Sequence, residues 1–407
     1  MRSTRSSEWG GSTPTESADV VIVGAGLAGL QCGARLVEAR PDLSVLVFDP
    51  DPIGGCTKWS VGSFTAAGTR WQRSAGITDT PEDHFEDMLL LCKFNGSADD
   101  EARYRRLLKA TCESGAGLLE DLAARGVEFS GPHPEPPHRQ PRMHNAVPSA
   151  LSAAKALAAI FENGPEAKVV TEELVDISGS NDGFAIETPN RTMLARTLVL
   201  ASGDRSASSS AAPAVNPRAT GRPLEAAAGA LGARLHQPAF SPGLRTFAPG
   251  KPLVAPIPDL VRSGSVVGEG TRVAGDELLS DPAKFAGQDL YLETPATGHL
   301  RDAFVCTFPA IGYARLADLE AAGLASRADT SGVWRIGPMR VVVTLADGAL
   351  DVDSEMRVID GDSAPIEGAY ACGTAALGGI DLGGHGHHLL WAAATGATAA
   401  RSIADRL

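Results

Sequence analysis

The sequence predicts an α/β protein built on a parallel sheet with a dinucleotide-binding turn. Three observations carry this. The stretch 18–49 runs strand, glycine turn, helix, strand. The stretch 368–407 has a strand, a second glycine-rich loop and a terminal helix. The 407 residues also exceed one small core and suit two domains, on a prior of roughly 100–200 residues each.

Val20 to Val23 is a short β-branched apolar run, the pattern of a strand buried on both faces of a parallel sheet. Gly24, Gly26 and Gly29 follow as G-x-G-x-x-G. The first glycine permits the tight turn, the second lets a pyrophosphate approach the backbone, and the third lets helix and strand pack closely. A helix from Leu27 to about Arg40 would direct its N-terminal N–H groups and positive dipole end at that phosphate. Val45 to Phe48 is the second strand. Asp49 ends it, about 20 residues past the last glycine, where a carboxylate accepts from ribose hydroxyls.

Bulk composition removes several function classes. A formal charge of −13 and a pI near 5.2 argue against a surface for polyanions, so no nucleic-acid partner is expected. Aromatic content of 5% leaves little to stack single-stranded bases. The cysteines, Cys32, Cys56, Cys92, Cys112, Cys306 and Cys372, form no C-x-x-C pair. They suggest neither zinc nor a disulfide framework and suit a reducing cytoplasm. No apolar run approaches ~18 residues, so no membrane span is expected. Residues 1–17, rich in Ser, Thr and Gly without an apolar stretch, read as a disordered leader.

Beyond Asp49 and Pro50 the chain is dense in Gly, Ser and Thr. Gly54 and Gly55 make a second close-approach pair, which suits a larger dinucleotide lying extended across the sheet. Cys56, Thr57 and Ser60 follow, with hydroxyls at Thr57 and Ser60 for phosphates. The small run Ala66, Ala67, Gly68 suits a flat ring. These residues, with Leu27, Ala28 and the turn glycines, are the N-terminal cofactor candidates.

Helices are expected from Pro81, capped by Thr80, and over about Glu101 to Arg125, ending at Gly126. The Pro- and His-rich segment 131–148 reads as a loop over the cofactor or substrate. His133, His138 and His144 are too irregularly spaced among prolines to suggest metal; Arg139 or Arg142 could hold an anionic group, with a solvated loop charge as the safer reading. Ser149 to Glu162 is an Ala-rich amphipathic helix. Lys168 to Ile177 is a strand candidate carrying Leu174, a hairpin turn follows at 180–183, and Leu194 to Leu200 is a buried strand ending in Ala201, Ser202, Gly203 and Asp204.

On GAGLAG, Asp49, GGCT, SFTAAGT, Gln72 and GITDTPE, together with the C-terminal GAYACGT, GG loop and helix, the chain resembles the flavoprotein family of fumarate reductases, 3-ketosteroid dehydrogenases and tricarballylate dehydrogenase-like enzymes. The resemblance implies a Rossmann-type FAD-binding domain in two segments, 18–235 and 346–407. An inserted α+β capping domain would occupy 236–345. It implies FAD as cofactor, with Leu174, Ala201, Ser202, Gly203, Gly373, Thr374, Gly384, His385, His388 and Leu389 as further contacts.

The sequence also departs from the family. ASGD replaces the usual ATGG, Arg222-Pro223 replaces Asp-Gly, and Thr374 stands where Glu or Asn contacts the ribitol. No histidine matches the one fumarate reductases carry beside TLADGAL.

The family's chemistry moves a hydride between flavin N5 and a C–C bond beside a carbonyl or carboxylate, saturating or desaturating it. A proton donor or acceptor must face the other side of the substrate. His385, His387 and His388 are the proton candidates, because imidazole titrates near neutral pH, with Tyr313 as a further one. Arg340 and Arg272 are candidates for an acidic substrate, with Asp276 or Glu277 beside Arg272. The expected partners are a small-molecule substrate and an external electron donor or acceptor. Two other readings stay open: a flavin-dependent isomerase or lyase with no net redox change, and a non-catalytic flavoprotein.

Overall fold

The computed structural model describes residues 16–407 apart from 52, 61, 136, 164–165, 181–182, 247–252, 257, 296–303, 309–311, 329–331 and 385. Of the expected leader, 1–15 lie outside the described residues. Glu16 and Ser17 instead open the first strand, Glu16–Val23, because they pair with Met193 and Leu194.

That strand is central to the main sheet. It runs parallel to Val45–Phe48 on one side and Thr192–Leu200 on the other, with Val20 opposite Val45 and Ile22 opposite Val199. Pro365–Ala371 lies beyond Thr192–Leu200, also parallel, so the two ends of the chain share one sheet. Val20, Val21 and Ile22 are fully buried, as a two-sided parallel strand requires. Helix Leu27–Ala39 covers one face with Leu27, Leu30 and Leu36 and packs against the C-terminal helix His387–Ala404.

The helical segment forms as its caps predict. Thr80 Oγ1 accepts from the Asp83 N–H at 3.1 Å, starting Pro81–Leu91. Ser97 and Asp100 make a reciprocal capping box for Ala98–Ala124, three residues earlier than the sequence suggested. The chain turns away at Gly126, with φ +91°.

The segment 131–148 is not simply a loop. Glu128–His133 and Met143–Val147 are strands of a three-stranded sheet with Ser63–Thr65. Arg142 is correspondingly not solvated. It is fully buried between Asp79 and Asp87, and Arg139 bridges Asp83, Glu86 and Asp87. The strand expected over 168–177 forms as two, Ala167–Val170 and Asp176–Ser180. The latter pairs antiparallel with Gly183–Glu187, and the turn residues 181–182 lie outside the described set.

A second core gathers Leu244, Val266, Leu290, Leu292, Ile336, Val341 and neighbours. It is built on an antiparallel sheet in the order Ala239–Thr246, Val333–Asp347, Leu290–Pro295, Ser265–Gly268, Thr271–Ala274. The long strand Val333–Asp347 returns the chain from this sheet toward the nucleotide-binding half.

Candidate active site

The site grows from the first glycine turn. Gly24 has φ +116°, and a Cβ there would lie 2.3 Å from Ala201 O. A Cβ on Gly29 would lie 1.9 Å from Gly24 O. Only glycine lets strand, turn and helix close this far. No side chain caps the helix at Gly26, so its N-terminus faces an open cleft with Gly26, Leu27 and Ala28 on the wall. The Leu27 N–H donates to Thr57 Oγ1 at 3.0 Å, tying the GGCT loop to the turn.

The cleft encloses about 1040 Å³, at the top of the ~300–1,000 Å³ typical of ligand pockets. Asp49, Gly55, Cys56, Thr57 and Ser60 line one end, with Ala201, Ser202, Gly203, Gly373 and Thr374 beside them. A smaller hollow lined by Gly24, Pro50 and Leu174 shares Asp49, Gly55 and Ser202 with it. Gly54 lies behind Gly55, its N–H donating to Ala25 O. Ala66, Ala67 and Gly68 do not line the cleft; the two alanines are fully buried behind its wall.

These residues fit a dinucleotide. Asp49 accepts from the Ala25 N–H at 2.7 Å and the Asp51 N–H at 2.8 Å, yet burial still pushes its carboxyl above the ordinary range. Further hydroxyl donors, such as those of a ribose, would relieve that carboxylate. Ser202 Oγ is buried with no partner and also faces the cleft. Such an orphan calls for a ligand or water. Uncapped N–H groups at the helix start are the complement of a pyrophosphate.

The C-terminal segment closes the far wall. Gly373 has φ +67°; its N–H donates to Thr395 Oγ1 at 2.8 Å, and its carbonyl accepts from Trp391 Nε1 at 2.9 Å. Gly386 starts the C-terminal helix at φ +77°, where a Cβ would strike Thr65 Oγ1 at 2.2 Å. Gly384, His388 and Leu389 line the cleft at the positive end of this helix.

His388 Nε2 lies 2.8 Å from Asp347 Oδ1, while Asp347 Oδ2 accepts from the Leu382 N–H at 2.9 Å. Burial works to lower the His388 pKa, but the Asp347 carboxylate outweighs it and holds the imidazole above its ordinary value. Asp204, the departure from ATGG, is buried nearby with its carboxyl pushed up by desolvation. Cys56, between Asp204 and Asn216, has its thiol pushed up by burial and is therefore a poor nucleophile.

The opposite wall belongs to the second sheet: Ser241, Arg245, Thr344, Leu345 and Asp347. Arg245 is half-buried; its Nη1 donates to Leu244 O at 2.7 Å, and its Nε has no partner. Among the described residues no carboxylate pairs with it, and burial pulls its pKa down to about 10.

The remaining sequence candidates lie elsewhere. Arg340, opposite Arg245 on the next strand, pairs with Asp289 at 2.6 Å, and Arg272 pairs with Glu293; neither lines the cleft. His387 is fully buried behind the cleft wall, against His84 and His138. Tyr313 falls in the strand Gly312–Ala314 with its side chain outside the described part, and His385 lies outside the described residues.

Sequence reasoning passed over Arg245 and Asp347. Asp347 reads as a turn residue before Gly348. Arg245 stands in an aperiodic stretch, and its chemistry depends on which partners are missing.

The model of the FAD binding domain matches residues 19–246. A fumarate reductase (cytochrome) of Shewanella frigidimarina is 30% identical over 120 residues, 29% of this chain. A KsdD-like steroid dehydrogenase of Mycolicibacterium smegmatis is 39% identical over 115 residues, 27% of this chain. The matched segments are 19% and 20% of those relatives' own lengths.

Among solved structures, a 3-ketosteroid-delta4-(5alpha)-dehydrogenase from Rhodococcus jostii superposes with TM-score 0.65 at 19% identity, covering 98% of both chains. An open flavocytochrome c3 fumarate reductase gives 0.68 at 17%, covering 96% of this chain and 79% of its own. At such identities the likeness is one of fold: a Rossmann-type domain with an inserted capping domain. The matched region spans the turn, Asp49, the strand ending at Leu200 and the cleft wall through Arg245, so the chain belongs to the FAD binding domain family and takes FAD as its cofactor.

Proposed function

We propose that this protein is an FAD-dependent oxidoreductase that reduces or forms a C–C double bond beside a carbonyl or carboxylate of a small organic molecule. The observation that carries the reading is the continuity of the cleft. It runs from the FAD cradle to a wall where Arg245 has an unpartnered Nε and His388 is held by Asp347. Bound FAD supplies the hydride centre.

The chain's own residues supply the rest. Arg245, with no carboxylate partner among the described residues, is suited to bind a substrate carboxylate or polarise a carbonyl. His388, its pKa raised by the Asp347 carboxylate, is suited to offer a proton to the reacting face. Gly384 and Leu389 line the cleft beside it. The relatives' names, fumarate reductase and steroid dehydrogenase, support both an acid and a ketone as the activating group.

An external electron donor or acceptor completes the cycle. The described cysteines are all free thiols, which supports a reducing compartment such as the cytoplasm. Among the described residues no helix is long and apolar enough to cross a membrane.

The test is anaerobic titration of the yellow protein with unsaturated acids, enones and their saturated forms. Bleaching by a saturated compound identifies a dehydrogenase. Reoxidation of chemically reduced protein by an unsaturated one identifies a reductase. Turnover without any change in the flavin spectrum would sink the reading in favour of an isomerase or lyase. With an active substrate, Arg245→Met should lower kcat/KM about 10–100-fold, the worth of a charged hydrogen bond of ~1.5–3 kcal/mol, with FAD content unchanged.

A further inference from the structure

We propose that His84, His138 and His387 form a binding site for one divalent transition-metal cation of the zinc type, directly behind the cofactor cleft. The three come from separate parts of the chain: the helix Pro81–Leu91, the segment between the strands Glu128–His133 and Met143–Val147, and the first residue of the C-terminal helix. All three are buried, and one ring nitrogen of each lies within 4.8 Å of the others. His138 Nε2 and His387 Nε2 are 2.9 Å apart. Tetrahedral zinc with Zn–N bonds of ~2.0–2.1 Å sets its ligand nitrogens roughly 3.4 Å apart, so small side-chain rotations bring the three onto one ion.

The independent observation is His84. It is fully buried, and neither ring nitrogen has a hydrogen-bond partner. An imidazole orphaned at both nitrogens loses its hydration without return, and a metal bond at one of them would supply that return.

The surroundings suit a metal ligand set. His387 Nδ1 lies 2.7 Å from Gly383 O, which places the proton there and presents Nε2 as the donor atom. Asp87 Oδ2 lies 3.8 Å from His138 Nδ1, beyond hydrogen-bond reach but near enough for its charge to favour a cation. Arg142 approaches that same Nδ1 at 3.1 Å and opposes a cation. It is itself held by Asp79 and Asp87, which offset its charge.

Three histidines leave one position of a four-coordinate ion for water. The site would clasp three segments at the start of the C-terminal helix. A Cβ on the cleft-lining Gly384 would lie 2.7 Å from His387 Cε1, so a single layer separates the clasp from the cofactor.

The test is calorimetric titration of FAD-loaded, EDTA-treated and desalted protein with zinc chloride. The expected result is one Zn²⁺ per chain at micromolar affinity or tighter. Affinity should fall at least tenfold in His84→Phe and in His84→Gln, and stay unchanged in His133→Ala. Zinc-edge X-ray absorption of the loaded protein should read a shell of nitrogen and oxygen alone. Wild-type protein with no saturable binding would overturn the site, as would binding retained in both His84 variants, binding lost in His133→Ala, or sulfur in the shell. The wild-type titration and the absorption spectrum decide even if a variant fails to fold.

Discussion

Arg142 shows what one residue contributes here. Its guanidinium is wholly inside the protein, with Asp79 at 2.7 Å on one side and Asp87 on the other. A buried ion pair adds little net stability over an apolar replacement, but removing one partner strands the other charge in a medium that cannot solvate it. Arg142→Met strands Asp79, while Arg139 still holds Asp87. It should cost ~3–5 kcal/mol, read as a lower urea midpoint with an unchanged slope. A loss below ~1 kcal/mol would mean that water reaches Asp79. Nothing local marks this arginine. It follows a proline in a segment without periodicity, and only the strands on either side bury it.

At the scale of elements, the first and last helices decide how the two ends of the chain meet. Gly396 lies where they press together, and a Cβ there would lie 2.5 Å from Ala28 O. Backbone cannot yield as a side-chain tip can. Gly396→Ala should therefore cost ~1–3 kcal/mol through overpacking and weaken FAD retention, since Ala28 lines the cleft. Gly117, exposed on the long helix Ala98–Ala124, has nothing within 4 Å of a Cβ. Gly117→Ala should gain up to ~1 kcal/mol from helix propensity alone. Thermal unfolding of the two variants should shift in opposite directions; shifts of the same sign would refute the packing argument. Both fall in segments that the sequence reads as helix, and what separates them is the neighbour each meets.

For the whole molecule, the important fact is that two cores share one cleft. The larger core gathers the parallel sheet and its helices, the smaller the inserted antiparallel sheet, and residues of both line the same space. FAD binds a surface that exists only when the strand ending at Leu200, the glycine turn and the C-terminal loop are assembled. It therefore binds the native state and not the unfolded chain. Free FAD at a hundred times its Kd should add ~2.7 kcal/mol of stability, seen as a melting temperature that climbs with FAD concentration in protein stripped of cofactor. A melting temperature indifferent to FAD would contradict the assignment of the cradle.

The sequence by itself determined the parts that depend on short spacings. The turn Gly24 to Gly29, its flanking strands and Asp49 lie within one βαβ unit, so their geometry follows from steric rules that act over a few residues. The cap at Thr80 and the C-terminal glycine loop were legible for the same reason, whereas the cap at Ser97 was not. Tertiary structure alone decided the rest of the site. Among the described residues no carboxylate reaches Arg245, whereas Arg340 and Arg272 are paired with Asp289 and Glu293. Asp347 reaches His388 at the end of a long strand returning from the inserted sheet. His84, His138 and His387 meet although the last is 249 residues from the second. Such pairings are settled by which chain segments pack together, and no local rule along the chain encodes the charge or the vacancy that a distant segment leaves beside a side chain.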